Sequence, residues 1–152
     1  MEQSKVKPFV FNLQTVLDVR RIREEQARAD LAALCYREKQ EEERIARLRQ
    51  QRQDVQRRLV DGDAALSGSE VLAVASTERS LDLAIHDSQR QKEEITRQRE
   101  IKLEQTRTVI SQRKTVEVLR EKAWGRHLYE AAVAAERQVD ELCSRRAEER
   151  GG

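Results

Sequence analysis

Asp61-Gly62-Asp63-Ala64-Ala65-Leu66-Ser67-Gly68-Ser69 stands between two long stretches that hold almost nothing able to stop a helix. Two glycines fall close together, and Ser67-x-x-Glu70 has the spacing of a capping box, in which a serine hydroxyl and a glutamate carboxylate satisfy each other's backbone N–H groups at the start of a helix. The seven-residue repeat on either side halts here. The stretch over 61–69 therefore reads as the tip loop of a hairpin, and the fold follows from that reversal.

Upstream of the tip a ladder with alternating steps of four and three runs through Leu13, Leu17, Arg20, Glu24, Ala27, Leu31, Leu34, Glu38, Glu41, Ile45, Leu48, Arg52, Val55 and Leu59. That is the period of a coiled-coil seam. Charges interrupt it at Arg20/Glu24, Glu38/Glu41 and Arg52. Those rungs either snorkel out of a loose seam or meet opposite charges from the other arm. Pro8 and Asn12 precede the ladder, and an asparagine side chain can accept N–H bonds of a first turn, so helix one is expected over about 12–60.

Downstream, Val71, Leu72 and Val74 make a short amphipathic piece over about 70–76, where Ser76 and Thr77 offer a second break or cap. Helix two is expected over about 77–149. Its ladder runs Leu81, Ile85, Ser88, Lys92, Ile95, then a four-four step through Arg99 to Leu103, Thr106, Ile110, Arg113, Glu117, Arg120 and Trp124. Such a stutter locally unwinds a supercoil. The last stretch, Leu128, Ala132, Ala135, Val139 and Leu142, is more apolar, with small residues that permit close approach of another helix.

The expected fold is all-α: a long two-helix antiparallel coiled-coil hairpin, a single coiled-coil domain over 1–152, with a short helical segment at the tip. The second arm outruns the first and leaves a C-terminal helical overhang whose apolar stripe needs cover. Composition agrees. The 152 residues are 38% charged, 38% hydrophobic and 3% aromatic, which suits a narrow seam and not a broad core. A net charge of +2 gives no strong field for nucleic acid or membrane. The opening Met-Glu-Gln-Ser-Lys-Val-Lys has no signal-like apolar run, and no window reaches the roughly 18 apolar residues of a membrane span. A cytosolic location is expected. Cys35 should face a residue near 95–100, leaving Cys143 roughly 65 Å away by helical rise, so no intrachain disulfide is expected.

Chemical signatures are missing. The sequence has no phosphate-cradling glycine motif, no H-E-x-x-H, and no Cys/His cluster with ligand spacing, so no enzyme, metal or cofactor is expected. His86 and His127 each read as surface or seam residues. Trp124, beside Gly125, reads equally as a partner anchor or as the closure of the seam near the start of helix one. Phe9 and Phe11 read most simply as a hydrophobic staple for helix one, or else as the apolar leading plug of an inserted rod.

Phe11-x-Leu13-x-x-Val16-Leu17-Asp18-x-Arg20-Arg21, followed by Glu24-Glu25 and Ala27, resembles the opening of the flagellar export protein FliJ family. The layout of arm, glycine-containing tip, short amphipathic segment and longer second arm is also similar. The resemblance implies a non-enzymatic component of the bacterial flagellar type III export apparatus, peripherally associated with the inner face of the cell membrane at the flagellar base. It implies a monomer when free, built like the central stalk of rotary ATPases, that inserts its paired termini into the export ATPase hexamer and promotes its assembly and activity. The ring contacts then fall on Leu13, Leu17, Arg20, Arg21, Val139 and Leu142. A contact with the membrane export-gate protein falls on Leu81, Ala84 and Ile85, the family's aromatic position there being Thr77, and recycling of export chaperones is implied as well. For both residue sets ordinary seam packing is the competing reading.

Other readings remain open on the residues alone: an injectisome stalk of the same architecture, a homodimeric cytoskeletal coiled coil pairing the helix-one seam between chains, and an Arg-rich nucleic-acid rod, which the near-neutral charge disfavours.

Overall fold

The computed structural model describes residues 7–61 and 66–151. Among them are two helices and no strand: α1, Gln14–Asp61, and α2, Gly68–Arg150. The helices pack against each other as a hairpin, and each step toward the tip along α1 is matched by a step back along α2. Gln14 meets Arg120, Glu24 meets Arg113, Glu38 meets Arg99 and Arg52 meets Asp82.

The expected capping box forms. The Ser67 N–H donates to Glu70 Oε2 at 3.1 Å, and the Glu70 N–H donates to Ser67 Oγ at 3.3 Å. The helix it caps starts at Gly68, inside the expected loop, and residues 62–65 of that loop lie outside the described residues. Downstream the expectation of a separate short helix over 70–76 does not hold, because α2 passes through Ser76 and Thr77 unbroken. Thr77 donates its hydroxyl to the Ala73 carbonyl one turn back at 3.0 Å, which satisfies it inside the helix. At the other end α1 starts at Gln14, two residues past Asn12. The first turn is closed by the Leu17 N–H on the Leu13 carbonyl at 2.9 Å.

The chain divides into two compact units. In the unit Glu25–Thr108, the residues of α1 that are buried or half-buried are Ala27, Leu31, Leu34, Glu38, Glu41, Ile45, Leu48, Arg52 and Val55. These are rungs of the sequence ladder, and every other α1 residue in the unit is exposed. Opposite them Ile85, Ser88, Ile95 and Thr106 are buried. Burying an isoleucine of this kind contributes about 1.5–3 kcal/mol, so a few such rungs carry the seam.

The polar rungs do not simply snorkel; they meet partners. Arg99 Nε donates to Glu38 Oε2 at 2.5 Å, and Arg52 pairs with Asp82 at 2.8 Å. Lys92 pairs with Glu42 at 3.2 Å and Lys102 with Asp30 at 3.1 Å. Among the described residues two buried polar atoms in the seam are left over: Ser88 Oγ, on a residue only 1% exposed, and Glu41 Oε2. The stutter expected after Ile95 appears as a widening of the buried face, with the neighbours Lys102 and Leu103 both half-buried.

In the unit Met1–Glu24 with Val109–Gly152, the buried residues are Leu17, Val116 and Glu24. Here the expected ladder of α2 holds at Ile110, Arg113 and Arg120, which are half-buried, and departs at two rungs: Val116 takes the core place expected of Glu117, and Ala123 is more covered than Trp124. The departure begins only after Arg113, since a helix that drifts from a strict seven-residue repeat rotates a new side chain inward. Gly125 sits in the middle of α2, a position that costs about 1 kcal/mol relative to alanine. Nothing lies within 4 Å of where its Cβ would be, and its φ is not positive, so neither packing nor backbone geometry calls for glycine there.

Candidate partner-binding surfaces

The unit that joins the start of α1 to the end of α2 is held by a charge network. Arg113 donates from Nε to Glu24 Oε2 at 2.6 Å, and its other nitrogens reach Glu24 Oε1 and Glu117. Arg21 reaches Glu117 at 3.0 Å, Arg20 donates to the Gln112 carbonyl at 2.7 Å, and Arg120 donates to Gln14 Oε1 at 3.0 Å. Hydrogen bonds from Arg21 and then Arg113 hold the Glu117 carboxyl below the usual carboxylate range. Bonds from Glu24 and then Glu117 raise Arg113 further above its ordinary value, so it stays cationic throughout.

Beyond this network an aromatic group forms. The Phe9 ring stands edge-on to Trp124 at 5.0 Å and tilted to His127 at 5.5 Å, while Trp124 and His127 stack at 5.7 Å. The Arg120 guanidinium lies over the Phe9 ring at 5.7 Å. Phe9 therefore does not staple α1; it crosses to α2. His127, read as an ordinary surface or seam residue, takes part, and Trp124 closes on the N-terminal segment. The signal was present in the numbering, since the register that sets Gln14 against Arg120 brings Phe9 up to Trp124.

Past His127, α2 runs on with little cover. Every residue from Ala134 to Arg150 is exposed, including Val139 at 58% and Leu142 at 60%. Leu128, Tyr129, Ala132 and Ala135 are exposed as well. Leucine and valine side chains in such a run are held in water by nothing in the described part of the chain.

The proposed ring residues separate accordingly. Val139 and Leu142 are open, as is Leu13, and Arg21 lies at the surface in its pair with Glu117. Leu17, at 0% exposure, gives its whole surface to the seam, and Arg20 is half-buried on the Gln112 carbonyl. At the proposed gate contact Ile85 is buried, Leu81 and Ala84 are half-buried, and Thr77 is exposed. The outward apolar side chains nearby are Val71, Leu72 and Leu83, of which Leu83 lies off the ladder and was not singled out in the sequence. Cys35 and Cys143 are both exposed thiols. Among the described residues no helix is long and apolar enough to cross a membrane.

Two helices closed by an apolar and ionic ladder, with one end left bare, define the class: an all-α helical hairpin. The family model described as flagellar FliJ protein matches residues 9–152, nearly the whole length. The chain belongs to the FliJ family and is a flagellar export-related protein. No curated protein and no solved structure matches it.

Proposed function

We propose that this chain is the central stalk of the flagellar type III export ATPase, a non-enzymatic cytoplasmic component that lies against the inner face of the membrane at the flagellar base. The observation that carries the reading is the bare C-terminal part of α2. A helix that ends in exposed Val139 and Leu142 is stable in water only at a cost, and a ring of subunits around it removes that cost. Leu13 and Arg21 add contacts from the α1 side, while Leu17 and Arg20 hold the two helices in the form that enters the ring. The surface contacts are few and partly ionic, which suits a shaft that must turn or rearrange inside its sleeve. Coupling to the export gate runs through the half-buried edges of Leu81 and Ala84 with Ile85 behind them, and export chaperones are recycled on the same component.

Co-purification with the export ATPase tests this, with hexamer formation and ATP hydrolysis as readouts. Both should rise with the intact chain. Val139→Asp with Leu142→Asp should abolish the rise while helicity measured by circular dichroism stays within a few per cent. A parallel loss of helicity and stimulation, or stimulation untouched by the double variant, refutes the role given to this surface.

A further inference from the structure

Gly125 has no structural reason to be glycine, yet it lies at a particular place. It falls between Trp124 and His127, whose rings stack on each other and both rest on Phe9. Before it, α2 is paired through Arg113, Val116 and Arg120; after His127, exposure takes over. Glycine is the residue at which a helix most readily bends, because it restrains the backbone least and shields its hydrogen bonds from water least. A weak point set where pairing ends lets the bare segment swing without disturbing the paired one.

The aromatic group supplies the restraint. Phe9 touches one ring on each side of the glycine, so a bend at Gly125 that separates Trp124 from His127 must break at least one of its two ring contacts. Phe9 sits in the non-helical segment that precedes α1, where the backbone can withdraw it without unwinding that helix. We infer that Gly125 is a hinge in α2 and that Phe9 is its lock: with Phe9 seated across Trp124 and His127 the C-terminal segment is held in line, and with Phe9 withdrawn it pivots. This inference concerns the chain alone and stands whether or not the segment enters an ATPase ring.

The test uses the full-length chain with Cys35→Ser and Cys143→Ser, and spin labels on cysteines placed at Lys114 and Arg145, which flank the glycine on α2. Pulsed dipolar spectroscopy reads the spread of distances between them. Phe9→Ala should broaden the distribution, Gly125→Ala alone should leave it narrow, and the double variant should return it to a narrow form. Hydrogen exchange gives a second readout: amides of residues 126–129 should exchange about fivefold more slowly in Gly125→Ala, the factor that the helical preference of alanine over glycine predicts. Circular dichroism checks that each variant keeps its helix content. A double variant as broad as Phe9→Ala alone overturns the hinge, and a distribution unchanged by Phe9→Ala overturns the lock.

Discussion

The unit Glu25–Thr108 and the unit joining the N-terminal segment to the end of α2 solve the same problem differently. In the first, buried isoleucines recur along the seam and single ion pairs flank them, so each stretch of helix covers the next without help. In the second, Leu17 and Val116 are the only buried aliphatics of that size among the described residues, and a connected set of arginines and glutamates with an aromatic group does the rest. The same unit carries the long uncovered run of α2. One region is complete in itself, and the other is built with surface to spare, which is where a family member concerned with export is expected to meet other proteins.

The sharpest break of this contrast pits a buried leucine against a bare one in the same unit. Leu17→Ala should cost about 2–4 kcal/mol in urea unfolding, since it empties a fully enclosed site, and Leu142→Ala should stay within about 0.5 kcal/mol. Equal costs would erase the distinction between seam and spare surface. In the other unit Ser88→Ala should raise stability by about 1 kcal/mol, because it removes a buried hydroxyl that has no partner in the seam. A loss there would mean that the hydroxyl is satisfied in solution.

The charge network makes the second unit sensitive to acid. The folded chain holds Glu117 below its ordinary range, so its contribution is present above the unfolded value of about 4.3 and fades as pH falls through the lower folded value. Thermal melting followed across that window should show a shallower loss of Tm on acidification for Glu117→Gln than for the native chain. Smallest of all, Arg52→Ala should change stability by about 0.5 kcal/mol or less, as its pair with Asp82 stays open to water. A larger loss would show that single pairs in the first unit weigh as much as the network in the second.

The seam of α1 was legible in the sequence almost residue for residue, from Leu17 to Val55, because period alone determines which face a helix can bury. Its polar rungs left two outcomes open, and only the register of the opposite arm decided between them. That register was also what α2 withheld. After the stutter a small rotation brought Val116 in and turned Trp124 partly out, a shift that no single-helix pattern reports. Thr77 looked like a break because its hydroxyl competes for the backbone, but in a long helix the competition is settled by a bond one turn back. Phe9 went astray for a related reason: a staple is a local rule, and the better partner lay on the other helix. Of the candidate surfaces, the bare C-terminal stripe followed from unequal arm lengths, whereas Leu83 could be seen only once exposure was known.

The polar rungs have a mechanical meaning. If α2 were to slide by one heptad, Arg52 would trade Asp82 for Ala75 in one direction or Gln89 in the other, and in the first of these Glu24 would also leave Arg113 for Thr106. Purely aliphatic rungs would tolerate that slippage, since one leucine greets another much as the next. Matched teeth do not, and a pull along one helix is passed to its neighbour before either can creep.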